Sequence, residues 1–220
     1  MGLKYEYVIF DFDGTVMDSG PGIMDCIRLT LQEHSMKVPE GEILRKFIGP
    51  PIKASFMKTF GIDSDLADEL VATYRKKYVE TDSIMNGVVY EGITALLAEL
   101  SKAGAKTGIA SVKREVMIVE TLKRFKIDGY FDEVCGASDT VEFASKTDIL
   151  NECLKRLNAQ RDASIMIGDS DYDAVGAKNC GLDFVAALWG YGFDGADDAR
   201  RFDCRFVADG VSDLRNFLLG

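Results

Sequence analysis

The sequence predicts an α/β fold: a parallel sheet covered on both faces by helices, with an all-helical block inserted near the N-terminus. Three observations carry this. Short β-favouring runs recur at Tyr7–Phe10, 106–110, 164–167 and 184–188, and such runs, bounded by turn residues, read as buried strands. From Tyr90 onward, stretches with apolar residues three or four apart alternate with those runs, the pattern of β-α-β units and parallel strands. Between residues 17 and 83 the helical spacing continues with no convincing strand, which predicts an insertion with a core of its own. The expected division is therefore residues 1–16 and 84–220 as the α/β core and 17–83 as the helical domain.

Taken in order, Tyr7-Val8-Ile9-Phe10 is the first strand and runs directly into Asp11-Phe12-Asp13-Gly14-Thr15. If extended geometry holds to Asp13, side-chain alternation points Asp11 and Asp13 the same way. In the insertion, Ile23, Ile27 and Leu31 recur at spacing four, as do Leu66, Leu70, Tyr74 and Tyr78. Between them, Ile43, Phe47 and Ile48 are separated from Ile52, Phe56 and Phe60 by Gly49-Pro50-Pro51; the prolines stop one helix and start the next. Ile93, Leu96, Leu97 and Leu100 mark a helix that stops at Gly104. A strand ending at Ser111 follows, then a helix starting near Lys113, then a short strand around 133–135. A helix through Ile149–Leu157, the strand 164–167, a helix over 171–180, strands at 184–188 and 205–207 and a helix over 211–219 complete the pattern.

The formal charge of −10 argues against nucleic acid and anionic membrane surfaces as partners. No apolar run is long enough to span a bilayer and the first six residues lack a signal-peptide core, so a cytoplasmic location is expected. The five cysteines are scattered, with no C-x-x-C pair, and read as reduced apolar fillers. His34 is the sole histidine and sits in a polar run, which argues against histidine-based catalysis.

Four stretches carry chemistry. Asp11 and Asp13 follow a buried strand, and paired carboxylates repel unless a cation joins them or one is protonated. A hard metal such as Mg²⁺, with an aspartate free to attack phosphorus, fits that pair. Thr15 adds a hydroxyl and an N–H for an anion. Ser111 ends a strand, where a hydroxyl beside a helix start suits a phosphate oxygen; its plainer use is helix capping. Lys146 opens a helix, where a cation opposes the macrodipole and asks for an anion nearby, although most lysines are simply solvated. Asp169, Asp171 and Asp173 follow the strand 164–167, a donor set for a hard cation, with capping again the plainer alternative.

In this order the four stretches resemble the motifs of the haloacid dehalogenase superfamily of phosphatases: D-x-D-G-T, a strand-end Ser, a helix-opening Lys, and G-D-x-x-x-D. The resemblance spans essentially the whole chain. Departures are Val112 and Arg114 where relatives read T-N-K-P, which leaves the role of Lys113 open, and Thr147 where many have Pro. The helical insertion and Gly190-Tyr191-Gly192 look like the phosphoglycolate phosphatase-like group. The resemblance implies a Rossmann-like parallel sheet core with an inserted α-helical cap domain. It also implies Mg²⁺-dependent hydrolysis of a small phosphorylated substrate, phosphoglycolate-like or a nucleotide, through an aspartyl-phosphate. Asp11 would be the nucleophile, Asp13 the acid–base, and Lys146 the bridge to the phosphate, with Thr15, Ser111 and Lys113 at the substrate. The metal would be held by Asp11, the backbone carbonyl of Asp13, Asp169 and Asp173. Rival readings are a sugar-phosphate mutase of the same fold and a non-catalytic phospho-aspartate signalling module. Oligomeric state, monomer or dimer, stays open. Arg45 and Lys53, in a cationic, Pro-stiffened turn of an acidic chain, are expected to meet the leaving group when the cap closes.

Overall fold

The computed structural model describes residues 3–138 and 145–220; Met1 and Gly2, which begin the N-terminal stretch read above, lie outside the described residues. Six parallel strands form the main sheet: β1 (Tyr7–Phe10), β4 (Lys106–Arg114), β5 (Glu133–Ala137), β6 (Ser164–Gly168), β7 (Asp183–Ala187) and β8 (Phe206–Ala208). Their order is β5-β4-β1-β6-β7-β8. The chain thus builds outward from β1 in one direction and then returns to build in the other. The strand order reverses at β1, and in an open parallel sheet the crevice at the carboxyl end of that position is where ligands bind.

Alternation along each strand divides the core into two layers. Val8 and Phe10 of β1, with Ile165 and Ile167 of β6, join one apolar cluster, while Ile9 and Met166 join the other. The first layer is closed by α5 (Ile93–Ala103), α6 (Glu115–Arg124) and α10 (Val211–Leu219), the second by α7 (Lys146–Leu157) and α8 (Asp171–Cys180). Val8, Ile9 and Phe10 have no exposed surface, and burying each contributes roughly 1.5–3 kcal/mol. Cys135, Cys153 and Cys180 fill the second layer, and all five cysteines are unbridged.

A third cluster belongs to α1 (Gly20–Glu33), α2 (Gly41–Arg45), α3 (Ile52–Phe60) and α4 (Ser64–Glu80). Its centre is Phe47 and Phe56, edge to face at 5.2 Å, with Ile23, Ile27, Leu31 and Leu70 around them. Met117, Phe125 and Tyr191 of the sheet unit pack against its rim. His34 ends α1 and shares a 2.8 Å hydrogen bond with Thr73 on α4. Among the described residues no helix is long and apolar enough to cross a membrane.

Three details differ from expectation. Strand β4 does not end at Ser111: it continues to Arg114 through an irregularity in its pairing with β5, and α6 starts at Glu115. The chain leaves and re-enters the sheet unit through a two-stranded antiparallel ribbon, β2 (Met17–Asp18) with β3 (Val88–Val89), which is too short to show a period. Ile43 is exposed and Leu44 takes its place in the core, because α2 is a five-residue turn of helix rather than a long amphipathic one.

Candidate active site

β1 lies between β4 and β6, and the residues just past the ends of β1 and β6 meet in the crevice. Asp11 leaves β1 with its backbone N–H donating 2.8 Å to the Ile167 carbonyl. Asp169 leaves β6, and Ser111, buried, lies on β4. Two helix starts face them. The capping box of Ser145 and Asp148 places Lys146 in the first turn of α7. A second box, Ser170 with Asp173, opens α8, with Ser170 N and Oγ donating 3.1 and 2.6 Å to Asp173 Oδ2.

Asp11, Asp169 and Asp173 each offer an oxygen within 4.8 Å of the others, and all three are buried. Lys146 Nζ sits against two of them: 2.5 Å from Asp11 Oδ1 and, as an ion pair, 2.6 Å from Asp173 Oδ1. It also donates 2.8 Å to the Ala110 carbonyl. Its stem passes over Gly176, where a Cβ would come within 2.5 Å of Lys146 Cγ. Asp169 Oδ2 accepts from the backbone N–H of Tyr191 at 2.6 Å and of Gly192 at 3.2 Å. Gly14 makes room for it: its φ is +90° and a Cβ there would lie 2.2 Å from Asp169 Oδ2. A side chain at Gly14 is thus excluded twice, by backbone conformation and by contact.

Charge in this cluster does not balance. Burial raises the Asp11 carboxyl to about 7, with Asp173 and Asp13 adding to the rise and Lys146 opposing it. Asp169 is pushed well above the ordinary carboxylate range by burial, then by Asp173 and Asp11, against the pull of the two N–H donors. Burial alone would lower Lys146, but Asp11 and Asp173 outweigh it and hold the ammonium charged. Asp169 Oδ1 is buried with no hydrogen-bond partner. A converging set of hard oxygen donors, short of positive charge and with one oxygen unsatisfied, fits a divalent cation such as Mg²⁺.

The Asp13 carboxylate lies outside this trio. β1 ends at Phe10, so alternation no longer applies three residues on. The chain turns, with Gly14 N–H donating to the Met17 carbonyl at 2.8 Å. Asp13 Oδ1 instead accepts from Ser19 Oγ at 2.5 Å and Lys113 Nζ at 2.9 Å. For Lys113, too, burial works to lower the pKa, and Asp13 with Tyr78 raises it above the ordinary lysine value. Thr15 is fully buried and its Oγ1 has no partner, while its carbonyl accepts from Trp189 Nε1 at 3.1 Å.

Arg45 and Lys53 part company. Arg45, in the last turn of α2, donates 2.9 Å to the Gly190 carbonyl and lies 5.0 Å above the Tyr191 ring, on the loop that binds Asp169. Lys53 pairs with Asp68 of α4 at 2.6 Å. Sequence reasoning did not single out Ser19, six residues past Asp13, or Trp189, and it read Tyr78 only as part of a helical stripe; Tyr78 and Trp189 meet the site from far along the chain. For Tyr191 the only signal was the Gly-Tyr-Gly triplet.

A parallel sheet whose switch point gathers these carboxylates and one lysine defines a class, and a family model for haloacid dehalogenase-like hydrolase matches residues 8–187. The chain belongs to that family. It is 35% identical to the tyrosine-protein kinase PtkA of Mycobacterium tuberculosis over 191 residues, 87% of this chain but only 65% of that protein's length. It is 29% identical to the pyrophosphatase PpaX of Halalkalibacterium halodurans over 213 residues, 96% of each. Among solved structures, that of a predicted phosphatase from Clostridium acetobutylicum superimposes with a TM-score of 0.91 at 31% identity, covering 97% of both chains.

Proposed function

We propose that the protein is a phosphatase that hydrolyses a small phosphorylated metabolite, phosphoglycolate-like or a nucleotide, through a phosphoryl group held on Asp11. The carrying observation is the Asp11 carboxylate at the end of the central strand, bound by Lys146 and flanked by Asp169 and Asp173. Family membership and a relative named as a pyrophosphatase support the same reading.

In the first step an Asp11 oxygen bonds to phosphorus as the bond to the leaving oxygen breaks, and Asp13 gives that oxygen its proton. In the second, Asp13 takes a proton from water, whose oxygen bonds to phosphorus while the bond to Asp11 breaks, releasing phosphate and restoring the carboxylate. Lys146 and Ser111 stabilise charge on the transferring oxygens. Asp11, Asp169 and Asp173, with the Asp13 backbone carbonyl, would hold Mg²⁺, which when bound supplies further positive charge to those oxygens. Because phosphoryl transfer is mostly positioning and charge stabilisation, no histidine is needed.

The test is release of inorganic phosphate, with Mg²⁺ and after EDTA, from a panel of phosphoglycolate, nucleoside monophosphates, sugar phosphates, pyrophosphate and aryl phosphates. Asp11→Asn is nearly isosteric and should abolish turnover while leaving the circular dichroism and melting temperature of a folded protein. Near wild-type turnover by that variant, or no release from any substrate by the wild type, would sink the proposal.

A further inference from the structure

Lys113 lies, half-buried, between the sheet unit and the helices of the insertion, and its surroundings bear on how Asp13 is aimed. Its Nζ lies 2.9 and 3.3 Å from the two Asp13 oxygens and 3.3 Å from Tyr78 Oη. The Tyr78 and Phe12 rings flank the ammonium, with centroids at 5.1 and 5.5 Å. Both the Lys113 and the Asp13 side chains keep only 11% of their surface, and Tyr78 keeps 5%. Ser19, the residue before α1, closes the group from the other side by donating to Asp13 Oδ1.

These contacts commit the lysine. Its three donors face the two oxygens of one carboxylate and one hydroxyl, and two ring faces cover much of the rest. Asp13 itself lies past the end of β1, in a turn closed by its bridge to Met17, and its carboxylate is held by its side-chain partners, Lys113 and Ser19. Tyr78 belongs to α4, in the helical insertion, whereas Lys113 belongs to β4 in the sheet unit. The ammonium is therefore a joint between the two.

We infer that Lys113 is a positioning residue for Asp13, fixing the direction of its carboxylate and linking that direction to the seating of the helical insertion through Tyr78. This rests on the phosphatase reading above, in which Asp13 moves the proton. It assigns Lys113 a role different from contact with the substrate's anionic group.

Leaving-group dependence separates the two roles. A proton donor matters most when the leaving oxygen is basic and least when it departs readily as an anion. kcat/KM is to be measured for a series of aryl phosphates of graded phenol acidity, with magnesium, for wild type, Lys113→Met, Lys113→Arg, Asp13→Asn and Lys113→Met/Asp13→Asn. The single Met variant is expected to lose roughly 10- to 100-fold on the poorest leaving groups, the worth of a charged hydrogen bond, and to approach wild type on the best. Added to Asp13→Asn, it should cost little more, because the group it positions is already disabled. Lys113→Arg should recover part of the loss, since the charge remains but the fork fits the pocket imperfectly.

If Lys113→Met leaves Asp13 buried without its partner and lowers stability, the double variant removes both charges and keeps the comparison available. A loss of equal size across the series, persisting in the Asp13→Asn background, would overturn the inference and make Lys113 a substrate-binding cation. A wild type that turns over none of the aryl phosphates would overturn the phosphatase reading and this inference with it. Normal wild-type turnover with a Lys113→Met loss that does not vary with the leaving group overturns the Lys113 assignment alone.

Discussion

Replacing Lys146 by methionine tests the electrostatics of the site most directly. Methionine matches the unbranched stem, and the groove over Gly176 that holds this stem accepts it without rearrangement. What disappears is the ammonium 2.5 Å from Asp11 and 2.6 Å from Asp173. Counted as formal charges, Asp11, Asp169 and Asp173 against Lys146 sum to −2 without metal and −3 after the substitution, an excess that the already raised Asp11 and Asp169 carboxyls would offset by taking up protons. Breaking a buried pair from one side costs roughly 3–5 kcal/mol. At about 2–4 °C per kcal/mol for a chain of this size, the metal-free melting temperature should fall by roughly 6–20 °C. Magnesium should shrink the fall, because a divalent cation among the carboxylates brings the sums to about 0 and −1. Phosphate release should drop by roughly 10²–10³, the usual worth of one stabilising contact to transferring oxygens. Calorimetry or circular-dichroism melts with EDTA and with magnesium, together with steady-state kinetics, read all three effects. A variant that melts within about 2 °C of wild type in EDTA and retains most of its kcat would refute the charge accounting of the cluster.

Other outcomes follow from the same geometry. Wild-type melting temperature should rise with magnesium, by about 2.7 kcal/mol of stabilisation at a hundredfold excess over Kd, and Asp169→Ala should abolish that rise; an unchanged magnesium response in the variant would remove Asp169 from the metal site. Gly14→Ala should lose about 1–2 kcal/mol to backbone strain alone and displace Asp169 as well, so denaturant unfolding and metal titration should both shift; a variant with normal metal affinity would contradict the contact. Arg45→Ala should lower kcat/KM on phosphoglycolate by up to roughly tenfold and by less on an aryl phosphate, whereas Lys53→Ala, whose ammonium is engaged by Asp68, should do little to either. An Arg45→Ala effect that is small and equal on the two substrates would return the turn to a solvated surface role.

Much of the α/β unit was legible because its strands are buried on both faces and so read as uninterrupted apolar runs. β1 and β6 are the plainest cases, with Val8, Ile9, Ile165 and Met166 all fully buried. The acidic positions were legible because chemistry at a strand end demands particular residue types in a fixed order. Continuation of β4 past Ser111 was not, since Val112-Lys113-Arg114 contains no turn residue and its strand character comes from pairing with β5. Nor was the direction of Asp13, where the alternation argument assumed a strand that stops three residues earlier. Ser19 reaches Asp13 from six residues on, but Lys113 comes from a hundred positions away and brings Tyr78 with it. No local pattern encodes such meetings.

The loop after β7 has an optical consequence. Trp189 is the sole tryptophan of the chain, and its indole is tethered to the Thr15 carbonyl and lies edge-on to Tyr90 at 6.5 Å. The next two residues receive Arg45 from the helical insertion, and Tyr191 hydrogen-bonds Asp18 beside the ribbon that joins the two parts. One chromophore thus stands where the β2–β3 ribbon, the Asp169 loop and Arg45 of the insertion meet. Its emission, excited above the tyrosine band, is a built-in reporter on the contacts where those segments meet, readable in stopped flow without a label.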